Sequence, residues 1–158
     1  MKNIFLVGVI SIFSFACSNN DATFLSYEEQ LKVDTDIIDS YLVENGLTAE
    51  TTVDGLRYEI TKTGNGLFPK TGNYVVVNYI GKSLNGNVFD SNNSGGFSFA
   101  LGTRQVISGW DLGIALLSEG GKATLYLPSG LAYGNRGSGR SIAPNEVLIF
   151  DVELVEIK

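Results

Sequence analysis

The sequence predicts an α+β fold: a twisted antiparallel β-sheet of five to six strands wrapped around one short α-helix, with a helical arm in front. Three observations carry this reading. Apolar residues recur at helical spacing from Tyr27 through Leu31 and Ile38 to Tyr41 and Leu42. From about Gly55 the apolar period drops to two, the signature of half-buried strands. That rhythm breaks once, where Trp110, Ile114 and Leu117 return to helical spacing.

The first element is an address. Lys2 precedes an uncharged apolar run from Ile4 to Ala16. The run is too short for a membrane span, which needs roughly 20 residues, and suits an export signal. It ends in Ser14-Phe15-Ala16-Cys17, which resembles a bacterial lipoprotein lipobox, although leucine usually stands where Ser14 does. The division predicted is a signal peptide over 1–16, a lipidated tether over 17–25 beginning at Cys17, an acidic helix over 26–50 and a globular domain over 51–158. Such a chain is expected on the bacterial cell envelope, held by its N-terminal lipid on the outer membrane and facing the periplasm.

Ser26-Tyr27-Glu28-Glu29 opens the helical arm as a capping box, and Gly46 closes it in left-handed geometry. Asp34-Thr35-Asp36 lacks the loop glycine and closing glutamate of an EF-hand, so it reads as a solvated acidic face. In the domain, Leu56, Tyr58 and Ile60 alternate with polar residues, and Tyr74 to Ile80 is β-rich. A short strand follows the Asn85-Gly86 turn, over Asn87 to Asp90, and Phe97, Phe99 and Leu101 share one face of another. Trp110 belongs to a helix of about two turns, buried between it and the sheet. Lys122 to Leu127 and Val147 to Ile157 complete the set, the last with Leu148, Phe150, Val152 and Leu154 on one face.

Composition excludes several chemistries. The 158 residues contain no histidine and one cysteine. Ser-His-Asp and Cys-His nucleophiles, histidine-ligated zinc and intrachain disulfides are therefore absent. A formal net charge of −6 argues against nucleic acid as a partner. The acidity is concentrated in the arm, where Asp21, Glu28, Glu29, Asp34, Asp36, Asp39, Glu44 and Glu50 oppose only Lys32. The glycine-rich stretch after Gly134 does not match a dinucleotide fingerprint or P-loop, and a strand rather than a helix follows it.

A series of strings occurs in order across about residues 55–158. They are Phe68-Pro69-Lys70-Thr71-Gly72, Val75-Val76-Val77-Asn78-Tyr79-Ile80-Gly81, Val88-Phe89-Asp90-Ser91 and Phe97-Ser98-Phe99-Ala100-Leu101-Gly102. Val106-Ile107-Ser108-Gly109-Trp110, Leu131-Ala132-Tyr133-Gly134 and Ile149-Phe150-Asp151-Val152-Glu153-Leu154 follow. Together they resemble the FKBP-type peptidyl-prolyl cis-trans isomerases. The resemblance implies rotation about X-Pro peptide bonds, a reaction that breaks no bond and needs neither cofactor nor metal.

It also implies the site. Trp110 forms the floor under the proline ring, with Tyr79, Phe89, Phe99, Val106, Ile107 and Tyr133 as walls and Phe97 close by. The Ile107 backbone N–H and the Tyr133 hydroxyl are donors. Asp90 is a polar rim contact placed by Tyr79, and Ile142 makes an apolar contact from the overhanging loop. Proline-containing polypeptides are the implied substrates, and FK506- or rapamycin-type macrolides implied ligands. The alternative on the same fold is a non-catalytic chaperone or docking module. The chain departs from the small eukaryotic members in three places. The loop between Phe89 and Phe97 is shorter. Ser138 and Ala143 replace a histidine and a proline. Arg136 and Arg140 introduce charges that would favour acidic substrate flanks.

Overall fold

The computed structural model describes residues 25–158, so the expected signal peptide over 1–16, Cys17 and the expected tether through Phe24 lie outside the described residues. Helix α1 (Tyr27–Glu44) begins at the predicted capping box. The Glu29 backbone N–H donates to Ser26 Oγ at 3.3 Å, and the Ser26 N–H donates back to Glu29 Oε2 at 2.9 Å. Its end is a Schellman motif: Gly46, at φ +63°, donates to Val43 O and Leu47 donates to Leu42 O. No described helix is long and apolar enough to cross a membrane.

Six strands follow: β1 (Glu50–Thr51), β2 (Arg57–Lys62), β3 (Tyr74–Ser83), β4 (Val88–Ala100), β5 (Lys122–Leu127) and β6 (Leu148–Ile157). They form one sheet in the order β1-β2-β5-β6-β3-β4, antiparallel throughout. Helix α2 (Ser108–Ala115) lies between β4 and β5 in sequence. Its residues Trp110 and Ile114, with Leu117 just beyond, join Leu148, Phe150, Val152 and Leu154 of β6 and Val75 and Val77 of β3 in the main core. The two predicted faces thus meet.

The opposite face of the sheet is also covered. Ile38 and Leu42 of α1 pack with Tyr126, Val147 and Ile149 in a second core. Tyr126 and Ile149 are directly paired across β5 and β6. Arg57 clamps the arrangement, its Nε and Nη2 each 2.9 Å from a different oxygen of Asp39. The arm is therefore packed on the domain.

Three expectations are corrected. Asp34 is completely buried rather than solvated, because Ser129 supplies its carboxylate with two donors. The expected loop between Phe89 and Phe97 is part of a continuous β4. Tyr79 pairs with Asn92 and Val77 with Phe97, so the surplus residues of β4 form a bulge between them. Gly95 and Gly96, at φ +89° and +68°, supply the left-handed backbone that the bulge requires. Ile60 is 40% exposed, not inward and buried. Only the two-residue β1 flanks β2 on its outer side, pairing with Arg57 and Tyr58, and leaves the Ile60 end of the strand uncovered.

Candidate functional site

A cleft of about 470 Å³ opens between the sheet and the start of α2. Strand β3 contributes Tyr79, β4 contributes Asp90 and Phe97, and β6 contributes Phe150. The segment entering α2 adds Gln105, Val106, Ile107 and Trp110, and the connection from β5 to β6 adds Tyr133.

Trp110 lies at the centre of the aromatic set. Its ring centroid is 4.7 Å from Tyr79, 5.4 Å from Phe150 and 6.0 Å from Phe97, each edge-to-face. It is 5% exposed. Its indole Nε1 is buried without a hydrogen-bond partner. The ring is held here because α2 sits close against β5, an approach that Gly109 and Gly113 permit. A Cβ on Gly109 would run into Leu127, and one on Gly113 would lie 2.5 Å from Leu125.

The loop before α2 is tied down by side chains. Asp111 accepts from the Gly102 N–H at 2.8 Å and the Arg104 N–H at 3.2 Å, holding Arg104 at φ +61°. Gln105 Oε1 accepts from the Ala100 N–H at 3.1 Å. Ile107 precedes the helix with extended backbone, φ −59° and ψ 146°. Its N–H donates to no backbone acceptor among the described residues, as expected of the orphan donors at a helix start.

The polar edge is built from Tyr79, Asp90 and Tyr133. The Tyr79 hydroxyl donates to Asp90 Oδ2 at 2.8 Å. Burial, then this bond and the nearby Asp90 charge, push the Tyr79 phenol up to about 12. Burial and the Asp90 charge also raise Tyr133 above the ordinary tyrosine value. Both phenols therefore remain neutral donors at physiological pH. Among the described residues no group of three or more acidic or thiol side chains could hold a metal ion.

Of the residues expected at the site, Tyr79, Asp90, Phe97, Val106, Ile107, Trp110 and Tyr133 share this cleft. The other three sit behind it. Phe99 is 2% exposed, its ring 5.9 Å from Trp110. Phe89 packs edge-on against Phe150 at 5.6 Å, in the space left by Gly81, where a Cβ would meet both rings. Ile142 is buried in the main core. These three support the wall rather than line it. Cys17 lies outside the described residues. Arg136 and Arg140 are exposed on the loop that follows Tyr133.

Gln105 and Phe150 complete the lining without having been expected there. Phe150 was legible only as a core-facing strand residue, and nothing distinguishes Gln105 in sequence. A larger groove, about 610 Å³, runs along α1 past Val33, Ile37, Tyr41 and Leu84. It is more open and has Tyr41 as its single aromatic residue, so the smaller cleft with its aromatic floor is the better-formed site.

Comparison with known proteins bears on the same region. The family model for FKBP-type peptidyl-prolyl cis-trans isomerase matches residues 66–155. A probable FKBP-type peptidyl-prolyl cis-trans isomerase of Neisseria meningitidis serogroup B is 46% identical over 121 residues, covering 75% of this chain and 44% of that protein. FK506-binding protein 4 of Dictyostelium discoideum is 51% identical over 105 residues, covering 66% of this chain and 29% of that protein. The chain thus spans less than half the length of either relative. The crystal structure of a peptidyl-prolyl cis-trans isomerase from Pseudomonas syringae pv. tomato superposes with a TM-score of 0.70 at 29% identity, covering 86% of this chain and 98% of that one. The matched segment contains the whole lining of the cleft, and the chain belongs to the FKBP-type peptidyl-prolyl cis-trans isomerase family.

Proposed function

We propose that this protein accelerates cis-trans rotation of X-Pro bonds in exported polypeptides. The observation that carries the reading is the aromatic cleft floored by Trp110, with the Tyr133 hydroxyl and the free Ile107 N–H at its edge. Rotation of a peptide bond must overcome amide resonance, a barrier of roughly 18–20 kcal/mol. The planar amide is the more charge-separated state, so a dry apolar surface disfavours it relative to the twisted one. On this reading Trp110 holds the prolyl ring and Phe97 and Val106 exclude water. The Ile107 N–H and Tyr133 hydroxyl bind substrate carbonyls in the twisted geometry better than in either planar one. Asp90 is a polar contact at the rim. Macrolides of the FK506 type would occupy the same cleft, which agrees with the name of the Dictyostelium relative.

The test is isomerisation of a short Leu-Pro or Phe-Pro peptide by residues 18–158, with Trp110→Ala and Asp90→Asn beside it. Acceleration weakened by both substitutions is expected. A folded protein without acceleration would instead favour a non-catalytic binding module. Rates on Glu-Pro and Lys-Pro peptides test the exposed Arg136 and Arg140, and equal rates would remove their preference for acidic flanks. The proposal extends to a protein lipidated at Cys17, the cysteine that closes the apolar N-terminal run. It would be held on the outer membrane facing the periplasm. Metabolic labelling with palmitate, lost in Cys17→Ser, is the expected result.

A further inference from the structure

Asp34 is the one carboxylate among the described residues that is completely buried, and it joins α1 to the loop that carries Tyr133. Its Oδ2 accepts from the Ser129 N–H at 2.8 Å and from the Ser129 hydroxyl at 2.6 Å. Its Oδ1 accepts from Gln30 Nε2 at 2.7 Å. A carboxylate withdrawn from water is costly unless such donors satisfy it, and removing them is correspondingly damaging. The arrangement therefore has one strongly favoured geometry.

What Asp34 grips is the start of the path to the cleft. Ser129 opens the 3-10 turn Ser129–Leu131. The Ala132 N–H donates to Ser129 O at 2.9 Å, and the Leu131 N–H to Pro128 O at 2.9 Å. Leu131 is buried in the main core. Tyr133 is the next residue but one, and it lines the cleft. A second contact from α1 secures the same turn: the Tyr27 ring lies so close to Gly130 that a Cβ there would be 2.9 Å from it. Downstream the path is closed by the Asn145 N–H, which donates to Gly134 O at 2.8 Å.

We infer that Asp34 is a positioning residue for the cleft, setting the Tyr133 hydroxyl through the Ser129–Leu131 turn. This rests on the isomerase reading of the cleft. Asp34 itself touches no substrate. It ties the N-terminal arm to substrate handling, so α1 is a working part of the site's frame and not only a spacer.

A merely structural role would lower stability and leave the contribution of Tyr133 independent. The experiment is a double-mutant cycle in the protein with Asp34→Ala, Tyr133→Phe and both together, reading kcat/KM on a Leu-Pro peptide and backbone amide exchange. Each single change is expected to reduce kcat/KM by about three- to tenfold, and the double variant to match the worse single. Amides of residues 131–136 should exchange faster in Asp34→Ala while those of β6 stay protected. Asp34→Asn keeps an acceptor oxygen and should restore most of both. Losses that multiply, or loop exchange unchanged from wild type, would overturn the inference. If Asp34→Ala does not fold, Ser129→Ala removes the hydroxyl bond to Asp34 and leaves the N–H bond, and it is read against the same outcomes with smaller losses. A wild-type protein without activity would sink the isomerase reading, and the exchange comparison alone would then decide the positioning.

Discussion

Tyr79 and Asp90 are joined by a 2.8 Å hydrogen bond at the edge of the cleft, one carried on β3 and the other on β4. The bond fixes the Tyr79 ring, which stands 4.7 Å from Trp110 and 6.4 Å from Phe97. Burial, together with this bond, also makes Tyr79 a sensor of alkaline pH. The phenol is pushed up to about 12 in the fold, first by burial and then by the Asp90 bond, whereas an unfolded tyrosine titrates near about 10. The unfolded chain therefore loses its proton first. This contribution to stability is complete below about pH 10 and is lost as pH rises toward 12. Urea midpoints measured from pH 9 to 12 should fall less steeply in Tyr79→Phe than in wild type. Tyr126, also pushed up to about 12 by burial, remains in both proteins and cancels. Equal steepness would disprove the assignment.

Trp110 is the only tryptophan in the chain, so its emission reports on the cleft alone. Binding of a proline peptide or an FK506-type macrolide is expected to change that emission. Trp110→Phe keeps an apolar floor and discards no hydrogen bond, because Nε1 has no partner. It should fold and bind more weakly. Trp110→Ala opens a cavity among Tyr79, Phe97, Phe99 and Phe150 and is expected to cost about 3–5 kcal/mol. A denaturant titration showing under about 1 kcal/mol would mean that the ring is not part of the packed core.

Ile38 tests the second core. It is completely buried on α1, against Tyr126 and Ile149 on the face of the sheet turned away from Trp110. Ile38→Ala should lower stability by about 2–4 kcal/mol, as for other buried aliphatic truncations. Peptide isomerisation at low temperature, where the variant remains folded, should change little, because Ile38 makes no link to the cleft comparable to Asp34. A variant as stable as wild type would show that the arm is only loosely seated.

Much of this was legible because the relevant signals are local. The capping box needs only Ser26 and Glu29, and the faces of β6 and α2 follow from periodicity. The seating of α1 was not, because it depends on residues distant in sequence. Ile149 and Tyr126 fall on the faces of β6 and β5 that alternation assigns to solvent, and only the arm makes them core. Asp34 looks like any acidic helix residue until Ser129, 95 positions away, supplies its donors. The run from Ser91 to Gly96 reads as a loop because its composition is that of turns, yet a glycine bulge lets the strand continue. At the site, the expected residues that share the cleft all fall within the quoted strings, on strands and connections alike, whereas Phe150 stood in such a string only as a core-facing strand residue. Gln105 was not legible, since its place comes from the bond its side chain accepts from Ala100.

Gly113 separates helix propensity from packing. It lies in the middle of α2, where alanine is intrinsically better by about 0.8–1.0 kcal/mol. Its φ is not in the left-handed region, so backbone strain does not enter. The space does. A Cβ at this position would be 2.5 Å from Leu125 Cδ1 and 2.9 Å from Cδ2. Leu125 is completely buried in the main core, where close packing leaves a side chain little room to give. The helix would have to lift from β5, carrying Trp110 with it. Overpacking of this kind costs about 1–3 kcal/mol, which outweighs the propensity gain. Gly113→Ala should therefore lower the urea midpoint and also weaken peptide isomerisation, since the floor of the cleft moves. Gly120, also outside the cleft lining but with open space where a Cβ would go, is the comparison. At φ +79° it pays backbone strain alone, so Gly120→Ala should lose stability while kcat/KM stays near wild type. If Gly113→Ala raised stability, the close seating of α2 on β5 would be refuted, and with it the reason given for the position of Trp110.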